Sequence, residues 1–251
     1  MQSKTIKLNN GHKMPKIGLG TWQIDGKDIE RCVRAAIKAG YRHIDTAYAY
    51  GTEKELGKVL NELFDEGVIK REDIFITSKL WNSFHNNPEL GLRNTLNDLK
   101  LDYVDLYLVH WPVTFKSNNE GISEKDKEGH DKVGTYDVLE VWNKMESLVS
   151  KSMTRSIGVA NHGKKNLEKL LKNAKIKPAI NQFEINPYFT QTELVEFCQS
   201  NEIAVCSYAS LGSTQPNDVN LLEDPVLKNI SNKHKESVPQ IILSWLFAKI
   251  L

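Results

Sequence analysis

Seven short apolar runs, each followed by a loop and then by a segment with helical spacing, are what most restricts the folds open to this chain. The runs lie at 16–20 (KIGLG), 42–47 (RHIDTA), 74–80 (IFITSKL), 104–111 (VDLYLVHW), 156–160 (SIGVA), 179–185 (AINQFEI) and 203–208 (IAVCSY). Runs that stay apolar through most of their length suit strands covered on both faces, and strands that alternate with helices form a parallel sheet. Between them, Ile29, Cys32, Val33, Ala36 and Ile37 recur at i, i+3, i+4, i+7, i+8 spacing, and Val138, Trp142, Met145 and Val149 keep a similar stripe. Each stripe predicts an amphipathic helix with one buried face. No Gly-x-Gly-x-x-Gly turn follows the first run, as an open dinucleotide-binding sheet would require, so the repeat predicts a (β/α)8 barrel.

Local signals agree with this alternation. Asn10-Gly11 predicts a small N-terminal hairpin, Thr52 with Glu55 forms a capping-box pattern, and Asn87-Pro88 and Asp224-Pro225 each put an N-cap before a helix-starting proline. Segment 113–134 is polar, charged and without period; after a fourth barrel strand, such a loop is a candidate lid or substrate wall. A length of 251 residues with 40% hydrophobic content suits one barrel domain over 1–251. With 33 basic and 32 acidic residues the net charge is +1, which leaves no bulk field for nucleic acid or an anionic membrane. The three cysteines, Cys32, Cys198 and Cys206, lie in apolar stretches without metal-type spacing, as expected of reduced thiols in a cytoplasmic protein with no bound metal. The N-terminal stretch has no apolar signal region, and no window approaches the roughly 18 apolar residues of a membrane span.

In a barrel of this kind, reactive groups sit where strands end and loops begin. Asp45 falls late in the second run, Lys79 late in the third and His110 at the end of the fourth, while Tyr50 lies in the loop after the second. Unpaired charges in apolar runs are costly, so Asp45 and Lys79 are expected to pair. A phenol has an ordinary pKa of about 10 and is a poor acid at neutral pH until a nearby cation favours its phenolate. Lys79 can supply that cation, Asp45 can hold it, and His110 can donate a hydrogen bond to a carbonyl oxygen. A Schiff-base lyase or aldolase using Lys79 as nucleophile is the competing chemistry; it needs a neutral amine, which Asp45 opposes.

The sequence resembles the aldo-keto reductase family through GLGTW at 18–22, RHIDTAYAYGTEKELG at 42–57, TSKLW at 77–81, YLVHWP at 107–112, RSIGVAN at 155–161, NQFEINPY at 181–188 and CSYASLGS at 206–213. That resemblance implies reduction of aldehydes and ketones by hydride transfer from NADPH, with NADH as the less common donor. It makes Tyr50 the proton donor, Lys79 the residue that lowers its pKa, Asp45 the partner of the lysine and His110 the residue that orients the carbonyl, leaving Tyr48 without a catalytic part. Cofactor contacts carry over to Gly20, Thr21, Trp22, Asp45, Asn161, Gln182, Tyr208, Leu211 and Ser213, and Trp22, Trp81, His110 and Trp111 match the substrate pocket.

The resemblance also has gaps. Ala160 stands where the family usually has a serine, His162 replaces the usual phenylalanine, Ala209-Ser210 replaces Ser-Pro, and Thr52 replaces a common asparagine. The final segment, SVPQIILSWLFAKIL, carries the helical stripe Val238, Ile241, Ile242, Trp245 and Leu246. In the family the eighth strand, the basic 2′-phosphate site and the last helix follow such a segment, so the expectation is a barrel lacking these elements in the sequence shown. An open sheet edge would then offer a route to dimers, although monomers are commoner in the family. A second functional reading follows: a weak or inactive reductase-like protein with a binding or structural role.

Overall fold

The apolar runs need cover on both faces, and the chain supplies it by following nearly every strand with a helix. The computed structural model describes residues 5–212 and 220–250, which fall into two compact units, Met1–Ile180 and Asn181–Leu251. In the first unit a hairpin of β1 (Thr5–Lys7) and β2 (Lys13–Pro15) precedes the parallel strands. Gly11, at φ +91°, makes its turn, and Asn10 Nδ2 donates to Ser156 Oγ at 2.9 Å.

The succession is then β3 (Leu19–Gly20), α1 (Gly26–Lys38), β4 (His43–Asp45), α2 (Glu53–Asp65), β5 (Phe75–Leu80), α3 (Pro88–Leu99), β6 (Val104–Val109), α4 (Val138–Ser150), β7 (Thr154–Ala160) and α5 (Lys164–Asn173). Strands β3 to β7 lie side by side in chain order, all parallel. Every residue of β5 and β6 is buried, as strands covered on both faces must be. The first run shrinks to Leu19–Gly20, which pair with Ile44 and Asp45 of β4.

Helix faces follow the predicted stripes with small shifts. Ile29, Val33, Ala36 and Ile37 of α1 are buried, whereas Cys32 is half-buried. In α4 Leu148 takes the buried place expected of Val149, because a helix turns 3.6 residues per repeat and its stripe drifts. Asn87 caps α3 by accepting from Leu90 N–H at 3.2 Å. Thr52 begins α2 without a side-chain cap. Its ψ of 6° departs from the extended backbone that aims an N-cap oxygen at the first turn, and its Oγ1 finds no partner among the described residues.

At the N-terminal end of the strands, Asp105 is buried and accepts from Arg71 at 2.8 Å, Arg155 at 3.1 Å and Ile76 N–H at 2.9 Å. Both guanidiniums stack on the Tyr103 ring, 4.0 and 4.2 Å from its centre.

The second unit begins within β8 (Ile180–Glu184) and continues with α6 (Thr192–Ser200), β9 (Ala204–Tyr208), α7 (Pro225–His234) and α8 (Val238–Ile250). Its apolar centre includes Leu221, Leu227, Val238 and Ile242. Asp224 caps α7 through Leu227 N–H at 2.9 Å and also accepts from the Tyr188 hydroxyl. Among the described residues, no helix is long and apolar enough to cross a membrane.

Helix α2 packs on α3 through Gly57, where an added Cβ would lie 2.3 Å from the Asp98 carbonyl oxygen and 2.6 Å from Leu99 Cα. In a free helix Gly→Ala stabilises by about 1 kcal/mol. Here Gly57→Ala is expected to destabilise by about 1–3 kcal/mol in urea unfolding, and an unchanged or higher midpoint would refute the close approach.

Candidate active site

Strand register alone puts three of the expected residues on one face. Asp45 pairs with Thr77, and Lys79 lies two residues further along β5, on the same side as Thr77. Lys79 in turn pairs with Leu108, and His110 follows Leu108 by two. Asp45, Lys79 and His110 therefore climb one face toward the C-terminal strand ends. A 3-10 turn at Tyr48–Tyr50, closed by Gly51 at φ +68°, brings the fourth group back over them. Tyr48 packs edge-on against Phe84, with ring centres 5.0 Å apart.

Lys79 is 1% exposed and forms the expected ion pair with Asp45. Its other two N–H groups reach the Thr46 carbonyl at 2.9 Å and the Tyr50 hydroxyl oxygen at 3.0 Å, so all three ammonium donors are used. Burial opposes the charge of Lys79, but the Asp45 carboxylate and the Tyr50 oxygen more than offset it, and its pKa stands above the ordinary value. A neutral lysine, as Schiff-base chemistry would need, is therefore disfavoured.

The Tyr50 phenol departs from expectation. Burial pushes its pKa up, Lys79 pulls it down, Asp45 pushes it up again, and the result lies above the ordinary value of 10.0. The cation lowers the phenol only relative to what burial alone would give, since Asp45 cancels part of its field. His110 is held neutral: burial first, then the Lys79 ammonium, lower its pKa to about 3. Its Nδ1 is buried without a hydrogen-bond partner among the described residues.

Aromatic rings lie against His110. Trp81 lies edge-on to His110 with ring centres 5.4 Å apart, Trp111 stacks on it at 6.2 Å, and Trp22 and Trp111 are 51% and 40% exposed. Segment 113–134 is more ordered than its composition predicts. Bridges Phe115 to Val133, Ser117 to Ser123 and Lys125 to Asp131 fold it into a short ribbon. The ribbon docks on the turn after β5, with Phe115 N–H donating to the Asn82 carbonyl at 3.1 Å and the Phe115 ring edge-on to Trp81 at 5.8 Å.

Of the expected cofactor residues, Thr21 is fully buried, with N–H and hydroxyl both donating to the Asp45 carbonyl at 2.9 and 3.1 Å. Gly20 faces open space. Asn161, at φ +61°, donates from Nδ2 to the His110 carbonyl at 3.0 Å. In the second unit, Gln182 Nε2 donates to Cys206 Sγ at 3.5 Å, Tyr208 is half-buried at the end of β9, and Leu211 is 37% exposed. Ser213 lies outside the described residues.

Two groups escaped the sequence reading. Glu53, the first residue of α2, is buried and accepts from Ser78 Oγ at 2.6 Å and Thr95 Oγ1 at 2.9 Å; burial raises its pKa to about 7. His85, Tyr136 and His162 form a second buried assembly beside the rim. Glu53 is close enough in sequence to Tyr50 to have been flagged as a charge in a buried stretch, whereas the histidines and Tyr136 come from three separate loops.

Comparison with known proteins identifies the family. Residues 16–250 match the profile of the Aldo/keto reductase family. The chain is 50% identical over 250 residues to the aldose reductase of Encephalitozoon cuniculi (strain GB-M1), covering 99% of this chain and 83% of that protein. It is 43% identical over 249 residues to aldose reductase C of Dictyostelium discoideum, covering 96% of this chain and 76% of that protein. The structure of the aldose reductase from Schistosoma japonicum superposes with a TM-score of 0.92 at 38% identity, over 99% of this chain and 81% of that one. The match is to a (β/α)8 barrel.

Burial also sets the acid response. His85 and His110 are neutral down to about pH 3 and His162 to about pH 4, and His43 is lowered as well, burial being the main cause in each. An unfolded histidine binds its proton near 6.5, so between pH 6.5 and 5 the unfolded chain holds more protons at these four sites and stability falls with pH. Glu53 acts oppositely, because its raised pKa makes the folded chain bind the extra proton. Urea midpoints are expected to fall from pH 7 to pH 5 and to fall more steeply in Glu53→Gln; a flat profile in both proteins would contradict the buried neutral histidines.

Proposed function

The chain belongs to the aldo/keto reductase family, and from that premise we propose that it reduces aldehydes and ketones with Tyr50 as proton donor and NADPH, or NADH in its place, as hydride source. The protein is an NAD(P)H-dependent oxidoreductase acting on carbonyl groups. Aldoses are the first substrates to try, because the relatives above are named aldose reductases.

The observation that carries the proposal is the 3.0 Å contact from the Lys79 ammonium to the Tyr50 oxygen, with the ammonium held by Asp45. Because the phenol oxygen accepts from Lys79, its own O–H remains free to be donated. Tyr50 stays protonated at neutral pH, and as negative charge grows on a substrate oxygen the proton can move to it while Lys79 stabilises the phenolate left behind. His110 is neutral; an unpaired buried acceptor costs less than an unpaired buried N–H, so Nδ1 is left bare and Nε2–H serves as a second donor to the same oxygen.

The donor set suits a reduced nicotinamide dinucleotide, which supplies the hydride when bound. Within the first unit the Asn161 amide matches a carboxamide contact and Gly20 leaves open space where a side chain would intrude; the second unit, taken by itself, carries the Gln182 amide and the half-buried Tyr208 ring. Trp22, Trp81 and Trp111 would wall the substrate, with Phe115 extending that wall from the ribbon. Tyr50→Phe is expected to lower kcat by about 10²–10⁴ while NADPH still quenches tryptophan fluorescence as in the parent. Near-parental turnover in the folded variant would reject Tyr50 as the donor.

A further inference from the structure

His162 is fully buried, and both of its ring nitrogens are committed. Nδ1 lies 2.7 Å from the Ala160 carbonyl oxygen, and Nε2 lies 2.6 Å from the Tyr136 hydroxyl. A carbonyl oxygen can only accept, so Nδ1 carries the proton. In a neutral ring Nε2 must then accept, so the Tyr136 hydroxyl donates to it. The contact to Ala160 spans Asn161, whose φ of +61° places it in the left-handed region, which asparagine enters more readily than most residues bearing a Cβ but still at a cost. From that conformation the Asn161 amide reaches the carbonyl of His110.

The Tyr136 ring also faces His85, with centres 5.4 Å apart, and His85 Nδ1 is 2.8 Å from Thr114 Oγ1. Three loops that follow β5, β6 and β7 thus meet in one buried assembly. Each of these loops or strand ends carries a rim residue: Trp81, His110 and Asn161.

We propose that His162 is a positioning residue: its Nδ1–H closes the turn across Asn161 and so holds the Asn161 amide on the rim, while Tyr136 selects the tautomer that makes this bond possible. The role of that amide as a cofactor contact rests on the function proposed above; the positioning itself does not.

Two substitutions separate the halves of the ring. In His162→Asn the side-chain amide can stand in for Nδ1 and donate to Ala160 but falls short of Tyr136. In His162→Gln it can stand in for Nε2 and meet Tyr136 but leaves the Ala160 carbonyl. The side-chain NH2 resonances of Asn161, followed by 15N NMR and hydrogen exchange without cofactor, read its placement, and an NADPH titration reads the consequence.

His162→Asn should keep the Asn161 resonances and their protection near those of the parent. His162→Gln should lose both and bind NADPH up to about tenfold more weakly, the worth of one hydrogen bond. Equal Asn161 protection in the Asn and Gln variants, or losses that simply track their melting temperatures, would overturn the proposal. If the parent itself failed to bind NADPH, the cofactor reading would fall, and the exchange data would still decide whether His162 places Asn161.

Discussion

An ammonium buried at the end of a parallel strand has to be neutralised where it sits, and the pairing of Lys79 with Asp45 is the constraint around which the rim is arranged. A buried charge stripped of its partner costs several kcal/mol, so neighbouring strands β4 and β5 must hold the two in register. The Asp45 to Thr77 pairing does this by placing Lys79 one side-chain repeat beyond its carboxylate. Once Asp45 and the Thr46 carbonyl have taken two donors, the third points at the Tyr50 oxygen. The phenol is thus fixed by the same saturation that makes the lysine tolerable.

The loops around the pair are held with comparable care. The ribbon at 115–133 leans on the turn after β5, Asn161 ties the end of β7 to the His110 carbonyl, and the His85, Tyr136 and His162 assembly lies among the same loops. Rim loops usually exchange order for variety, because their backbone polar groups need water or a partner. Here side chains supply many of those partners, which suits a site whose donors must stay aimed while a substrate changes charge.

The strands, the clustering of Asp45, Tyr50, Lys79 and His110 at one rim, and the Asp45 to Lys79 pair were legible in the sequence for physical reasons. Apolar runs buried on both faces have few alternatives, and two opposite charges inside such runs demand each other. The ribbon was not legible: its bridges join polar residues such as Ser117 and Ser123, with none of the alternation that marks a half-buried strand. Thr52 matched a cap motif, but capping depends on a backbone angle that residue types do not set. The raised pKa of Tyr50 was missed because the depth of its burial emerges only when the turn at Tyr48–Tyr50 folds back over Lys79. Tyr136 and His162 stand 26 residues apart, and the Arg71, Asp105 and Arg155 cluster joins three elements; neither leaves a local signature.

The most direct test of this electrostatic arrangement is an NMR titration of Tyr50 in protein carrying 13C-labelled tyrosine, its resonance assigned by loss in a Tyr50→Phe variant. Tyr50 should titrate above the ordinary phenol value in the parent protein, and higher still in a folded Lys79→Met variant, where burial acts without the cation. A Tyr50 that titrates at the ordinary value, or that does not respond to loss of Lys79, would contradict the account.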